Sequence, residues 1–168
     1  MDEKMSKDKF RFKYKTRVRW MECDAQGIAF NGSYLGYLEI AQAEYFRNLG
    51  LSIYKIASSG YFDSAVVNTN IDFNAPVRVD DVIELHAKIS HIGNTSLQLD
   101  VAIYRESSQL QCTLIRAIYV GLDTKTMTKL PIPDPMRQII ETYENTGKVI
   151  PTTDFPELHK ANKLPNPS

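Results

Sequence analysis

The sequence has few of the features that mark secreted, metal-binding or membrane-spanning proteins. Its 168 residues include only two cysteines, Cys23 and Cys112. Two are too few for a disulfide scaffold, and their spacing matches no metal-ligand motif. No apolar run approaches the roughly 20 residues that cross a bilayer, and the N-terminal MDEKMSKDKF lacks the apolar core of a signal peptide. We therefore expect a cytoplasmic protein without a membrane partner.

The chain also lacks an excess of charge of either sign. Its 20 basic and 20 acidic residues cancel, which argues against nucleic acid as the main partner. Basic residues do alternate with apolar ones between Phe10 and Trp20. A solvated strand face, whose lysines and arginines discourage edge pairing, explains this pattern better than a nucleic-acid patch. The length fits one globular domain with a core large enough to hold a pocket.

The hydrophobic pattern predicts a strand, a loop, one long helix and then four strands. The helix covers 33–48 and is apolar nearly all round, as is typical of a core element. Asn31 or Ser33 can cap its start, and Gly50 can end it. A short helix is expected near 51–57. Period-two alternation predicts the first strand over 10–20 and later strands over 67–73, 83–89, 97–104 and 110–122.

Proline marks the end of the core domain. Seven of the eight prolines lie beyond residue 130, so we expect the domain to cover 10–132 after an N-terminal tail of residues 1–9. A helical extension is expected over 133–147, with its helix running from about Pro135 to Glu144. Residues 148–168 are expected to form a flexible tail.

A helix that is apolar all round needs a curved sheet to wrap it. In that setting the chain resembles the hotdog-fold acyl-CoA thioesterases, specifically the 4-hydroxybenzoyl-CoA thioesterase branch. The resemblance spans roughly residues 12–132 and implies an α+β hotdog fold, a curved antiparallel sheet of about five strands around one long helix. The residues that carry it are Asp24-Ala25-Gln26-Gly27-Ile28, Tyr34, Phe73-Asn74-Ala75-Pro76 with Asp81, and Gly93 to Ser96.

The resemblance implies an activity and an assembly. Such enzymes hydrolyse an acyl- or aroyl-CoA thioester to a carboxylic acid and free CoA. No metal or redox cofactor is implied, because CoA is part of the substrate. The family buries its sites at dimer interfaces and often pairs dimers, so a homodimer or homotetramer is expected. An acyl-CoA sensor or carrier without turnover is the alternative from another class.

By similarity, Asp24 is the nucleophile or general base and the backbone N–H of Asn31 is an oxyanion donor. Many relatives carry His or Tyr at the position of Asn31, so only its backbone role is carried over. Gly27 would let the loop approach the thioester closely. The residues agree with this chemistry, since Asp24 precedes a helix N-terminus, where unpaired N–H groups and partial positive charge favour an oxyanion.

Tyr34 and the turn Gly93-Asn94-Thr95-Ser96 are the candidate substrate-binding residues. In relatives this turn contacts the nucleotide end of CoA through backbone amides and hydroxyls, although a plain hairpin turn would have the same sequence. Arg78, Lys88 or Lys129 could supply phosphate contacts. The acyl group could be lined by Tyr37, Tyr61, Phe62 and Phe73.

Other reactive side chains carry weaker predictions. Glu39 lies on the long helix, where a surface or interface position is favoured over a catalytic base. Cys23 has no histidine nearby in sequence, so a cysteine nucleophile is not expected. A hotdog dehydratase needs a catalytic histidine, and none occurs before position 86. The three histidines, His86, His91 and His159, are expected to be ordinary exposed residues.

Overall fold

A computed structural model of the chain describes residues 5–163. The strands are β1 (Phe12–Arg17), β2 (Ser64–Phe73), β3 (Val82–Ile92), β4 (Ser96–Arg105), β5 (Gln111–Asp123) and β6 (Thr128–Lys129). They form an antiparallel sheet with the five long strands in the order β1-β3-β4-β5-β2 and the short β6 beside β5. This arrangement, wrapped on one long helix, confirms the predicted hotdog fold.

The long helix α1 (Ser33–Asn48) has the predicted bounds and packs on β3, β1 and β4. At 1.5 Å per residue it is about 24 Å long. The tyrosine Tyr45 is fully buried, and its ring meets Phe12 of β1 edge-on with centroids 5.8 Å apart. The helix is not buried all round, however, because Leu35 is 52% exposed. One side of α1 therefore faces outward within a single chain.

Two predicted strands differ from the structure in their length or in the burial of their apolar side chains. β1 ends at Arg17, and the alternation that continues in the sequence instead enters a 3-10 helix at Trp20–Glu22, so Trp20 is 85% exposed. On β2, Val67 is 60% and Phe73 is 50% exposed. The reason is position, since β2 lies at the edge of the sheet and no strand between residues 5 and 163 pairs with its outer side.

The C-terminal region is more ordered than the sequence predicts. The helix α3 (Asp134–Thr146) lies within the expected extension 133–147 and ends at Gly147, whose φ of 77° is left-handed. A 3-10 helix (Thr152–Asp154) and α4 (Pro156–Lys163) follow. α4 packs on α2 (Ile53–Ser58) and buries Leu158 completely. The expected flexible tail is therefore wrong for 152–163, and residues 164–168 lie outside the described range.

The N-terminal segment also packs on the domain. A 3-10 helix (Lys7–Lys9) leads into Phe10, which packs with Ala102, Tyr104 and Leu114 on the face of the sheet opposite α1. Of the expected tail 1–9, residues 1–4 lie outside the described range. None of the helices between residues 5 and 163 is long and apolar enough to cross a membrane.

Candidate active site

Asp24 lies in a tight turn between β1 and α1. Its N–H donates to the Ile28 carbonyl over 2.9 Å, and the Gly27 N–H donates to the Asp24 carbonyl over 3.0 Å. The Gln26 N–H donates to Asp24 Oδ1 over 2.8 Å, so the turn orients the carboxylate. Asp24 itself is exposed. The turn thus fixes a carboxylate at the protein surface, where a substrate can reach it.

Gly27 is explained by backbone conformation. Its φ of 72° lies in the left-handed region, which glycine adopts without steric cost. A Cβ at this position would meet no atom within 4 Å, so no steric clash within one chain excludes a larger residue than glycine here. Close approach of Gly27 to a bound thioester stays a prediction.

The start of α1 differs in detail from the predicted caps. The N-cap residue is Gly32, without a side-chain cap, while the Ser33 hydroxyl donates to the Glu22 carbonyl over 2.7 Å. Asn31 is exposed and its carbonyl accepts the Tyr34 N–H. Within residues 5–163, the Asn31 N–H donates to no protein acceptor. This N–H is therefore available at the positive end of the helix.

Glu22 is a site residue that the sequence did not reveal. It is 9% exposed and accepts hydrogen bonds from the Arg19 N–H over 2.8 Å, from Arg19 Nε over 2.7 Å and from the Tyr37 hydroxyl over 2.8 Å. Burial acts to raise the pKa of Glu22, but the bonds from Arg19 and Tyr37 outweigh it and the pKa lies below its ordinary value. This ionised side chain links the Asp24 turn to α1.

Tyr34 lies in the core. It is 2% exposed, and its ring meets Tyr37 and Phe73 edge-on at centroid distances of 5.7 Å and 5.1 Å. Burial raises the pKa of Tyr34, so its hydroxyl stays protonated at neutral pH. Within one chain, Tyr34 joins the first turn of α1 to the end of β2, and direct contact with substrate stays a prediction.

The turn Gly93-Asn94-Thr95-Ser96 joins β3 to β4 and is held by segments distant in sequence. The Asn94 carbonyl accepts the Ile132 N–H over 2.9 Å, and the Thr95 carbonyl accepts the Gly121 N–H over 2.7 Å. Arg137 of α3 donates from Nη2 to the Gly93 carbonyl over 2.7 Å. The turn itself contains no basic residue, and the fold supplies one, Arg137, from α3.

The two halves of the predicted site lie at opposite ends of the sheet. The Asp24 turn is tied to the segment before β3, since Ile28 forms a bridge with Arg78. The Gly93–Ser96 turn follows the other end of β3. From Val82 to Ile92 the strand spans about 33 Å at 3.3 Å per residue. One chain therefore does not bring Asp24 and the Gly93–Ser96 turn together.

Other candidate residues are placed elsewhere. His86 is 5% exposed and its Nε2 lies 3.1 Å from Glu84, so the prediction of an exposed residue is wrong for it. Burial and nearby carboxylates raise the pKa of the Cys23 thiol, which opposes a thiolate nucleophile. Lys88 lies over the Phe10 ring, 5.7 Å from its centroid. Among residues 5–163, no group of His, Cys, Asp and Glu is arranged to hold a metal ion.

A cavity lies beside the second half of α1. It has a volume of about 660 Å³ and is closed by α2 and by the segment that leads into β2. Of the side chains expected to line an acyl tunnel, it contains Phe62. Tyr37 and Phe73 contact Tyr34 instead.

Comparison with known proteins identifies the family. The model of the thioesterase superfamily matches residues 26–112, starting two residues after Asp24. Acyl-CoA thioesterase YbgC of Haemophilus influenzae is 22% identical over 111 residues, 66% of this chain and 82% of that protein. The 1,4-dihydroxy-2-naphthoyl-CoA hydrolase of Synechocystis sp. is 23% identical over 129 residues, 77% of this chain and 94% of that protein.

Solved structures show the same fold. The crystal structure of a 1,4-dihydroxy-2-naphthoyl-CoA thioesterase from Synechocystis matches with a TM-score of 0.71 at 23% identity, covering 76% of this chain and 93% of the other. About a quarter of this chain therefore lies outside that match.

Proposed function

The chain belongs to the thioesterase superfamily, and on this basis we propose that it hydrolyses an acyl- or aroyl-CoA thioester to a carboxylic acid and free CoA. The observation that carries the proposal is the Asp24 carboxylate, exposed and oriented by its turn beside the N-terminus of α1. A carboxylate so placed can attack the acyl carbon or activate water. The reaction needs water and CoA thioester, and no other cofactor.

The N-terminus of α1 supports oxyanion stabilisation. Attack on the thioester carbonyl places negative charge on its oxygen, and backbone N–H groups aimed at that oxygen lower the barrier by about 3–4 kcal/mol per good donor. In our proposal the Asn31 N–H is such a donor, helped by the partial positive charge of the helix end. The CoA thiolate leaves readily because a thiolate whose conjugate thiol has a pKa near 8.5 is a weak base.

Two roles for Asp24 remain alternatives within this proposal. As a nucleophile, its carboxylate oxygen bonds to the acyl carbon, the C–S bond breaks, and water then hydrolyses the resulting anhydride. As a general base, Asp24 takes a proton from the water that attacks. After a single turnover in ¹⁸O-labelled water, label found in the protein carboxylate by mass spectrometry shows the nucleophilic route, with water attacking the Asp24 carbon of the anhydride. Label in the product acid alone fits either general base catalysis or attack of water on the acyl carbon of the anhydride.

The exposed edge of the sheet supports a homodimer. β2 is ten residues long, contains no lysine, arginine or proline, and exposes Val66, Val67 and Phe73. Such an edge is a template for pairing with another strand. The opposite edge, β1, carries Lys13, Lys15 and Arg17 and is exposed over most of its length, a composition that discourages pairing.

Antiparallel pairing of two β2 strands would join the separated halves of the site. The Phe73 end of β2 lies beside Tyr34 and the start of α1. The Ser64 end pairs with Gly121, whose N–H donates to Thr95 in the candidate CoA turn. A two-fold axis near the middle of β2 therefore places Asp24 of one chain near the Gly93–Ser96 turn of the other. Pairing of such dimers would give the homotetramer that the resemblance implies.

In this dimer the Gly93–Ser96 turn contacts the nucleotide end of CoA. Arg137 holds the turn through the Gly93 carbonyl and is a quarter exposed, so we assign it a positioning role with positive charge near the coenzyme phosphates. Tyr34 acts indirectly, by fixing Phe73 against α1. The two cysteines are free thiols, and we propose the cytoplasm as the location.

A thiol-release assay tests the proposal. Purified protein is incubated with acetyl-, octanoyl-, palmitoyl- and benzoyl-CoA, and free CoA is measured, while binding of the same compounds is measured by calorimetry. We expect turnover of at least one thioester. Tight binding of an acyl-CoA without any release of CoA would overturn the enzyme proposal in favour of the sensor or carrier.

A further inference from the structure

The cavity beside α1 has an apolar floor. Its deeper lining comes from side chains that are at least nine-tenths buried, namely Phe46, Ile56, Phe62, Leu97, Tyr119 and Met136. The volume of about 660 Å³ lies within the range of small-molecule sites. The cavity follows α1 from Glu39 to Arg47, about 12 Å along the helix axis at 1.5 Å per residue. It is therefore long enough for an extended chain.

The rim of the cavity is acidic. Glu39 and Asp63 both line it, and within residues 5–163 neither forms a salt bridge. Arg47, the cationic lining residue, is already paired with Glu44 at 2.5 Å. Burial and the nearby Glu39 carboxylate raise the pKa of Tyr119 to about 12, so the floor is uncharged. A ligand that carries its own carboxylate would be repelled at this rim.

The cavity lies where the proposed dimer needs an acyl site. Asp63 and Ser64 line it at the start of β2, and antiparallel pairing sets that start beside the partner subunit's Phe73. The partner's α1 N-terminus adjoins its Phe73, as Tyr34 and Phe73 show within one chain. The cavity of one chain thus lies across the β2 edge from the partner subunit's Asp24.

We propose that this cavity binds the acyl chain of the thioester attacked by the partner subunit's Asp24, and that it selects uncharged, medium-chain aliphatic acyl groups over those ending in a carboxylate. The inference rests on the proposed function and deepens it. The apolar floor favours binding of an aliphatic acyl chain, while the Glu39 and Asp63 carboxylates repel a terminal carboxylate on that acyl chain.

The C-terminal helix fixes one wall of this cavity. Asn162 of α4 accepts the Ser52 N–H at Oδ1 over 2.7 Å and donates from Nδ2 to the Gly50 carbonyl over 2.8 Å. Ser52 is both a lining residue and the N-cap of α2. Asn162 is therefore a positioning residue for the wall formed by α2.

A matched pair of substrates tests the selectivity. Octanoyl-CoA and suberoyl-CoA have acyl chains of eight carbons and differ in the terminal carboxylate of the latter. We expect kcat/KM for octanoyl-CoA to exceed that for suberoyl-CoA, and that for acetyl-CoA, by about tenfold or more. In the double variant Glu39→Gln/Asp63→Asn, the octanoyl-to-suberoyl ratio should fall by about tenfold through faster suberoyl turnover. The control Asp154→Asn/Glu157→Gln removes two exposed carboxylates outside the cavity and should leave the ratio unchanged.

A cavity-filling variant gives an independent test. Ala43→Phe places a ring in the cavity from α1 and should lower kcat/KM for octanoyl-CoA by about tenfold while sparing acetyl-CoA. If this variant does not fold, the charge variants still decide the matter.

The outcomes separate the two proposals. Absence of CoA release from every thioester overturns the proposed function and this inference with it. Turnover with equal rates for octanoyl- and suberoyl-CoA, or with a ratio that Glu39→Gln/Asp63→Asn does not change, overturns the inference alone and leaves the thioesterase in place.

Discussion

Replacing Glu22 with glutamine is expected to destabilise the fold and displace the Asp24 turn. Two donors, the Arg19 N–H and the Tyr37 hydroxyl, bind Glu22 Oε2, and the Arg19 guanidinium binds Oε1. Glutamine has a single acceptor oxygen. Its NH₂ group must therefore face one of these two sets of donors, whichever way the amide is turned.

The size of the stability loss depends on which of these donors water can solvate once Glu22 is replaced. The Arg19 side chain is 61% exposed, so its guanidinium can be solvated and the amide oxygen can serve the other two donors. The loss is then that of charge-assisted hydrogen bonds, about 2–3 kcal/mol of unfolding free energy. For a chain of this size, that corresponds to a fall in Tm of about 4–12 °C.

Thermal unfolding and thiol release, measured on the same preparations, test this prediction. Glu22→Gln should lower Tm as stated and lower kcat/KM by about tenfold or more, because small displacements of a reacting group are costly. The companion variant Tyr37→Phe removes one charge-assisted hydrogen bond to Glu22 and should cost about 1.5–3 kcal/mol. A Glu22→Gln protein with wild-type Tm and wild-type kcat/KM would refute the assignment of Glu22 as the residue that holds the turn.

Three further results are expected. Leu158→Ala should lower the free energy of chemical unfolding by about 2–5 kcal/mol because α4 buries this side chain. An unchanged unfolding midpoint would instead support a flexible tail over 152–163. Stability should fall as pH drops below about 6.5 towards 2. Burial lowers the pKa of His86. Burial acts to raise the pKa of Glu84, but hydrogen bonds with Lys7 and His86 outweigh it and lower this pKa to about 2. Both groups therefore bind more protons in the unfolded state, so Glu84→Gln should flatten the acidic part of a pH-dependent unfolding curve, and an unchanged curve would contradict this. Val67→Lys on the β2 edge should shift sedimentation towards a monomer, whereas Val149→Lys, outside the sheet, should not; a Val67→Lys dimer as stable as wild type would argue against pairing through β2.

Local patterns in the sequence predict the helix and strands well because their physical causes are local. α1 was predicted with its observed bounds, since apolar side chains at helical spacing are followed by Gly50. The prediction for Trp20 was wrong because alternation does not show where β1 ends. The end is fixed by a capping interaction between Arg19 and Glu22, which turns the chain into a 3-10 helix.

Long-range contacts explain what the sequence did not reveal. Prolines after residue 130 indicated a tail, but Pro156 starts α4, a position that suits proline. Arg137 reaches the Gly93 turn across 44 residues of sequence, and no local pattern predicts that contact. Asp24 and Gly27 were assigned to the site through the resemblance and stay predictions, whereas the separation of Asp24 from the Gly93 turn follows only from the order of the strands.

The most direct test of the account compares wild type with Asp24→Asn on the best acyl-CoA substrate. Asparagine keeps the Oδ1 acceptor for the Gln26 N–H and removes the negative charge, so the fold should be unchanged by thermal unfolding. We predict that kcat for CoA release falls by about a hundredfold or more while acyl-CoA still binds. An Asp24→Asn protein that releases CoA at the wild-type rate would contradict the central claim that this carboxylate drives thioester hydrolysis.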